Sequence, residues 1–226
     1  MQELLYKLIP NVMDKPEIYA RSIEETLRML WWSGSISFML GLFFGVIITV
    51  SKKDGIMQNA LIYQVLEKLI NFFRSIPFII LLAGLIPLTR YLMGTAIGVK
   101  GAIVPLVFGT VPFFARQIES ALAELDEGII EAARSMGSSP VGIIFRVYMK
   151  ESIAPIARAT TITAIALIGL TAMAGAVGAG GLGDFAIRYG HQRNQIDVTY
   201  VTVLTLVLLV SVIQIIGNLI ARKNTH

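Results

Sequence analysis

The sequence predicts an all-α membrane protein with five transmembrane helices, on three observations. The chain is 55% hydrophobic and 15% charged, whereas soluble domains carry about 25% charged residues. Its mean hydropathy is +0.71. Three long stretches contain no Asp, Glu, Lys or Arg: residues 29–51, 159–183 and 198–221. Each is long enough as a helix to cross a hydrocarbon core of about 30 Å.

The positions of the charges predict each element in turn. Residues 1–21 carry mixed charges and predict an amphipathic lead-in outside the membrane. A less clear second span lies between Arg74 and Arg90. A third is apolar apart from Lys100 and Arg116, which lie near its ends and can reach the interface. We predict spans at about 27–50, 68–92, 97–117, 155–178 and 198–221, in a transmembrane domain over 22–218 with a cytoplasmic tail at 219–226.

The basic residues predict the orientation. With five spans the termini lie on opposite faces, and Lys and Arg divide into two sets. One face holds eleven of the 19, at positions 52, 53, 68, 74, 116, 134, 146, 150, 158, 222 and 223. The other holds eight, at positions 7, 15, 21, 28, 90, 100, 188 and 193. Cytoplasmic loops carry the excess of basic residues, so the N-terminus is predicted outside and the C-terminus in the cytoplasm.

Composition and motifs exclude several functions. The chain has no cysteine, which excludes disulfides, thiolate metal sites and a cysteine nucleophile. Its net charge of +4 does not indicate nucleic-acid binding. The glycines of 178–183 fit G-x-G-x-x-G, but no βαβ unit surrounds them, so they are predicted to end a helix and turn the chain. His191 has no partner for metal binding or catalysis nearby in the sequence.

The predicted spans lack the groups that couple transport to ions. No clear span has an ionisable residue in its middle, which favours an energy source outside the membrane. Prolines 77, 87, 105 and 112 predict kinks in the second and third spans, typical of a packed bundle around a pathway. Ordinary tolerance of proline in membrane helices is the alternative.

The segment 118–152 is the long polar stretch between two predicted spans. Helical spacing predicts a first helix with one apolar stripe, at Ile118, Leu122, Leu125, Ile129, Ala133 and Met136. Gly137 predicts its end, and Ser139 with Pro140 predicts the start of a second helix. The apolar face of that helix is predicted to be Val141, Ile144, Phe145 and Tyr148. Such a hairpin could dock a cytoplasmic partner; an amphipathic connector without a partner is the alternative.

The fourth span contains candidate pathway residues. Met173 could seal a narrow apolar constriction, since a thioether side chain is flexible. Thr160, Thr163 and Thr171 could line a polar passage. The alternatives are ordinary helix packing for Met173, and hydrogen bonds to carbonyls of the same helix for the threonines.

Several stretches resemble a known family. Glu131-Ala132-Ala133 followed by Gly137 resembles the EAA signature of permease subunits in ATP-binding-cassette importers. That signature usually continues, after nine further residues, as Ile-x-Leu-Pro; this sequence has Val147-Tyr148-Met149-Lys150 there. Four more stretches resemble the methionine-importer branch of the family: Glu25-Thr26-Leu27, Asn71–Phe78, Ala172–Asp184 and Ala186–Gly190. The resemblance covers roughly residues 20–218.

The resemblance implies partners and roles. It implies a homodimeric type I permease in a bacterial inner membrane, with two cytoplasmic ATPase subunits and an extracytoplasmic substrate-binding protein. ATP and Mg would bind the ATPase, and this chain would be non-catalytic, with no cofactor or metal of its own. The residues that would couple to the ATPase are Glu131, Ala132, Ala133, Arg134, Gly137 and Ser138. The substrate implied is an amino acid, most specifically L- or D-methionine.

Three alternatives stay open at this point. The permease could import another small nutrient or amino acid. The chain could be a secondary amino-acid carrier that works without ATP. It could also be a membrane scaffold or export component. Co-purification with an ATPase would separate the importer from the last two.

Overall fold

The computed structural model describes residue 6 and residues 8–224, which are helical and turn structure without a β-strand among them. The first half of the chain forms α1 to α5, which span Pro10–Met13, Pro16–Ser51, Ala60–Ser75, Phe78–Gly84 and Ile86–Met93. The second half forms α6 to α12, which span Gly98–Ala123, Glu127–Ser135, Pro140–Ile143, Met149–Glu151, Ile153–Ala174, Gly181–Phe185 and Ile196–Lys223. Three π-helical turns lie at Ile144–Tyr148, Gly175–Ala179 and Ala186–His191.

Four helices of the described chain are long and apolar enough to cross a membrane. They are Pro16–Ser51, Gly98–Ala123, Ile153–Ala179 and Ile196–Lys223. They correspond to four of the five predicted spans, and their ends lie up to eleven residues from the predicted limits. Charged residues extend two of them, because i,i+3 and i,i+4 pairs hold the added turns helical. In α2 these pairs are Arg21–Glu25 and Arg28–Glu24.

The predicted lead-in 1–21 is only partly described, since residues 1–5 and 7 lie outside the described part. Residues 16–21 belong to α2 rather than to a separate element. The short helix α1 precedes them, and the backbone N–H and side-chain amide of Asn11 each donate to a carboxylate oxygen of Asp197 at 2.9 Å. The position of the lead-in outside the membrane remains a prediction.

The predicted second span 68–92 is not one helix. It is divided among α3, α4 and α5, with extended backbone at Ile76 and Pro77 and a second break at Leu85. Proline has no N–H and disfavours helical geometry in the residue before it, so the chain bends at Pro77. Pro87 begins α5, whereas Pro105 and Pro112 lie inside the continuous α6. The count of five single helices is therefore not confirmed.

Contacts divide the chain into two compact units. The first comprises residues up to Ser35, 77–107 and 164–213, and the second 36–76, 108–163 and 214 onward. The main core of the first unit is formed by Met29, Ala102, Leu106, Leu167, Ala174 and Ala179. The main core of the second contains Phe114, Ile118, Leu122, Ala133, Ile143, Tyr148 and Ile156.

Small residues of α2 bring it close to α6 in the second unit. Ser37, Gly41, Gly45 and Thr49 recur every fourth position and are all buried. A Cβ added to Gly45 would lie 2.6 Å from the Cβ of Ile118 and 2.8 Å from the carbonyl oxygen of Ala115. Small-xxx-small spacing allows this approach of two membrane helices. The sequence interpretation did not use this pattern, although the spacing was visible.

An ionic cluster joins α3 to α6 in the same unit. Arg116 is mostly buried, with one guanidinium nitrogen 2.6 Å from Glu119. Its other terminal nitrogen lies 3.1 Å from the amide oxygen of Asn71 and 3.5 Å from Glu67. Arg116 thus has three polar partners on two helices, and whether it also reaches the membrane interface stays a prediction.

Candidate functional site

The predicted helical hairpin begins with a break rather than a continuous helix. Helix α6 ends at Ala123, and Asp126 caps α7 by accepting a hydrogen bond from the N–H of Gly128 at 2.7 Å. An aspartate at this position satisfies a free N–H of the first turn. The single apolar stripe over 118–136 is therefore wrong. Ile118, Leu122 and Ala133 are buried, but Ile129 and Met136 are exposed, because the break changes the helical phase.

Gly137 ends α7 as the sequence predicts. Its φ is +77°, a left-handed conformation that favours glycine. The N–H of Gly137 donates to the carbonyl of Arg134 at 2.9 Å, and that of Ser138 donates to Ala133 at 3.1 Å. This pair of bonds is the Schellman motif, which satisfies carbonyls at a helix end.

The second helix starts as predicted but presents a different face. Ser139 accepts a hydrogen bond from the N–H of Gly142 at 3.2 Å, and Pro140 occupies the first turn. The α-helical part, α8, is only four residues long, and a π-helical turn at Ile144–Tyr148 follows it directly. The extra residue in that turn shifts the helical phase. Val141, before the turn, and Phe145 are exposed while Tyr148, at its end, is buried, so the predicted common apolar face is wrong.

The EAA tripeptide is divided between two environments. Glu131 and Ala132 are exposed, as are Arg134, Gly137 and Ser138. Ala133 is buried in the core of the second unit. Ala133 therefore supports the hairpin from inside, and the neighbouring residues form its surface.

Exposed apolar side chains lie on the hairpin beside these residues. Met136 is 78% exposed and Phe145 is 70% exposed, and Ile129 and Val141 are also exposed. Sequence reasoning placed all four on apolar stripes. We define these four residues as the hairpin patch.

Tyr148 anchors the hairpin to its core. Burial raises the pKa of Tyr148, because the low-dielectric surroundings disfavour the phenolate. The positive charge of Arg134 opposes this rise in pKa, and Glu127 adds to it. The phenol consequently stays neutral at physiological pH.

Met173 lies on an exposed face of α10. Its side chain is 52% exposed, and Ile162 and Val177 are exposed to a similar degree. Gly169 is exposed as well. The spacing 162, 169 and 173 places these three residues on one side of the helix, and Val177 lies in the turn that follows it. Met173 is thus available to a neighbour rather than packed in the core of this chain.

The candidate pathway threonines donate to their own helix. The hydroxyls of Thr160 and Thr163 donate to carbonyls four residues earlier at 2.8 Å. Thr171 donates to the carbonyl of Ile168 at 2.7 Å. Thr163 and Thr171 are buried, and Thr160 is half-buried. These are the hydrogen bonds within the helix that were named as the alternative to lining a passage. Each hydroxyl oxygen can still accept a hydrogen bond from a further partner.

The glycine-rich turn after α10 receives two side chains from α2. Helical geometry ends at Val177 and Gly178, and φ is positive at Gly178, Gly180 and Gly181. The N–H of Gly181 donates to Glu25 at 2.8 Å, and the N–H of Leu182 donates to Thr26 Oγ1 at 2.9 Å. We call residues 178–183 the glycine corner. Sequence reasoning predicted the turn and not its partners.

No metal site is found in residue 6 and residues 8–224. Within them, no three His, Cys, Asp or Glu side chains lie close enough together to hold an ion. His191 ends a π-helical turn, with no group of potential metal ligands around it.

Residues 37–226 match a protein family described as "Binding-protein-dependent transport system inner membrane component". Among its relatives is the probable D-methionine transport system permease protein MetI of Vibrio cholerae. It is 45% identical over 202 residues, which cover 89% of this chain and 90% of the relative. The methionine import system permease protein MetP of Bacillus subtilis is 44% identical over 214 residues, 95% of this chain and 96% of the relative.

A solved structure gives the same fold over nearly the whole chain. It is described as inward facing conformations of the MetNI methionine ABC transporter. The TM-score is 0.91 at 43% identity, covering 94% of this chain and 99% of the matched one.

Proposed function

The chain belongs to the family of binding-protein-dependent transport system inner membrane components, and from this premise we propose that it is the permease subunit of an ATP-driven methionine importer. It forms the membrane pathway for the amino acid, and a separate ATPase subunit supplies the energy. The resemblance drawn from Glu131, Ala132, Ala133 and Gly137 is confirmed at the level of the family.

The observation that carries this function is similarity along the whole chain. Two relatives named for methionine transport cover about nine tenths or more of it at 44–45% identity. The matched structure, with a TM-score of 0.91, is a methionine transporter by its description. Similarity at this level supports a shared substrate class as well as a shared fold.

The hairpin is proposed as the docking site for the ATPase. Glu131, Ala132, Arg134, Gly137 and Ser138 form its polar and backbone surface, and Ala133 holds it from inside. The hairpin patch gives the ATPase an apolar area to bury, which is the main source of association energy. The Schellman motif and the Ser139 cap fix the turn between α7 and α8. A stable turn lets movement of the ATPase reach the membrane helices without being lost in the loop.

The pathway is proposed between two copies of this chain. The exposed face of α10 contains Met173 at a position that a second copy can cover, in keeping with the two-fold symmetry of most homodimers. Met173 would close the pathway, and Thr160, Thr163 and Thr171 would line it with their remaining acceptor capacity. ATP and Mg would be held by the ATPase, and this chain would catalyse no reaction.

Five crossings of a bacterial inner membrane are proposed, with the segment 60–93 as the second. The N-terminus then lies outside and the C-terminus in the cytoplasm, in keeping with the eleven basic residues assigned to the inner face. Exposed Trp31 and Trp32 fit an outer interface position. The 21 residues from Trp31 to Ser51 span roughly 30 Å as a helix, matching the hydrocarbon core. A substrate-binding protein would deliver methionine to the outer face.

Reconstitution tests the function. The chain, purified with its ATPase, is placed in proteoliposomes with the binding protein, and uptake of labelled L- and D-methionine is measured with and without ATP. We expect ATP-dependent uptake of at least one isomer, and competition by the unlabelled isomer. Uptake of a different amino acid, with no uptake of either methionine isomer, would contradict methionine as the substrate. Uptake by this chain alone, driven by an ion gradient, would indicate a secondary carrier.

A further inference from the structure

The glycine corner is held by residues that the proposed function does not use. We infer that Glu25 and Thr26 are positioning residues that lock the glycine corner, and with it the Met173 end of α10, to helix α2. The inference rests on the proposed function, since it assigns the lock to the gate of the permease.

The two side chains complete the start of helix α11. A helix begins with N–H groups that have no partner within the helix, and a side chain at the N-cap normally accepts from one of them. The N-cap here is Gly180, which has no side chain. Glu25 accepts from Gly181 and Thr26 from Leu182, at 2.8 and 2.9 Å. Two successive residues of α2 therefore act as the N-cap of α11, although each lies 156 positions before its partner in the sequence.

The glycine corner is shaped to receive these side chains. A Cβ on Gly180 would lie 2.5 Å from a carboxylate oxygen of Glu25. A Cβ on Gly181 would lie 2.7 Å from Thr26 Oγ1. Both glycines also have positive φ, near +80°. A Cβ at either position would displace the capping side chain, so the glycines and the two caps form one arrangement.

The glycine corner in turn is packed against the end of α10. A Cβ on Gly183 would lie 2.2 Å from the carbonyl oxygen of Ala172, next to Met173. A Cβ on Gly175 would lie 2.7 Å from the carbonyl oxygen of Gly180. Because backbone meets backbone on both sides of Met173, the glycine corner cannot shift without moving that residue.

The attachment of the glycine corner to α2 depends on the two caps rather than on the ion pair between Arg21 and Glu25. Arg21 donates to the second carboxylate oxygen of Glu25 at 2.9 Å, but its side chain is 77% exposed. Exposed pairs of this kind contribute little. Thr26 is 2% exposed, and loss of its oxygen would leave the N–H of Leu182 without a partner in a buried place.

Cysteine labelling tests the lock directly. The chain has no native cysteine, so Met173→Cys gives one reporter in each copy of this chain, within the complete complex with ATPase and binding protein. The labelling rate of this chain with a membrane-impermeant maleimide is measured in proteoliposomes, with and without ATP. In this background, Glu25→Ala and Thr26→Val remove one cap each.

The matched controls keep the caps. Glu24→Ala removes only the exposed pair with Arg28 on the same helix turn. Glu25→Gln and Thr26→Ser each retain an acceptor oxygen. We expect Glu25→Ala and Thr26→Val to raise the labelling rate about tenfold and to weaken its dependence on ATP, the scale expected for loss of a buried hydrogen bond. The three controls should label like the parent.

Labelling of Glu25→Ala and Thr26→Val at the rate of the parent would overturn the lock, as would equal effects of Glu24→Ala and Glu25→Ala. If Glu25→Ala does not assemble with the ATPase, Thr26→Val decides, because it changes one buried atom with little change of volume. Labelling does not require methionine uptake. If the unsubstituted complex fails to transport while the Met173→Cys variants label in a cap-dependent way, the proposed function is refuted and the lock still stands.

Discussion

At the scale of single residues, backbone requirements explain the hairpin. Gly137 adopts a left-handed conformation, and Ser139 accepts a hydrogen bond from the next helix. Both properties were predicted from residue type, because a glycine after a helix and a serine before a proline each have one favoured use. Predictions of this kind need only a few neighbouring residues.

Substitution of Gly137 separates the docking role from stability. Gly137→Ala forces a Cβ into a left-handed conformation, which costs about 1 kcal/mol. Gly94→Ala is the matched control, since Gly94 has φ of +74°, no atom within 4 Å of an added Cβ, and a place outside the hairpin. We expect similar losses of thermal stability in the purified complex. Only Gly137→Ala should reduce methionine-stimulated ATP hydrolysis, and equal reductions would contradict the docking role.

Other residues could not be assigned from local sequence. Glu25 bonds a turn 156 positions later, and Arg116 bonds Asn71 from 45 positions away. Nothing within a few residues of Glu25 or Arg116 indicates these partners. The fold brings them together through the packing of α2 on the glycine corner and of α3 on α6.

At the scale of elements, the charge-free stretches predicted the long helices but not their ends. Helix α2 continues through charged turns, and α6 continues past Arg116 and Glu119, because these charges pair along or between helices. The break at Pro77 was predicted only as a kink. Two consecutive residues with extended backbone turn it into a helix end. The π-helical turn at Ile144–Tyr148 has no sequence signal, and it changed which side chains are exposed.

Packing of α2 on α6 gives a test at this scale. Gly45→Ala places a Cβ within 3 Å of Ile118 and of a backbone oxygen, and overpacking of this kind costs about 1–3 kcal/mol. We expect a lower melting temperature of the purified complex. Gly34→Ala on the same helix meets only Leu167, at 3.5 Å, and should leave the melting temperature unchanged or raise it. Equal melting temperatures for the two variants would show that α2 and α6 separate easily here.

At the scale of the whole molecule, the number of crossings depends on the segment 60–93. The described chain has four long apolar helices, and a fifth crossing requires α3, α4 and α5 to cross together. With five crossings, the loop after α2 and the loop before α6 lie on opposite sides of the membrane. With four, they lie on the same side.

Two single cysteines distinguish these topologies. Lys53 and Ile97 are exposed in the two loops, and the chain has no other cysteine. We expect an impermeant maleimide added to intact cells stripped of their outer membrane to label Ile97→Cys and not Lys53→Cys. Permeabilised cells should label both, which controls for reactivity. Labelling of both variants, or of neither, in intact cells would exclude the fifth crossing.

The distance along the chain between Glu25 and its partner also sets an order of events during biosynthesis. A ribosome adds about 5–20 residues per second, so the 156 residues that separate Glu25 from Gly181 take roughly 8–30 s to make. During that interval α2 has been made, but the backbone N–H of Gly181, which will donate to the carboxylate of Glu25, has not. A chain that stalls before the glycine corner never forms this contact. The contact of Glu25 with Gly181 thus forms only in chains that have been extended past the glycine corner.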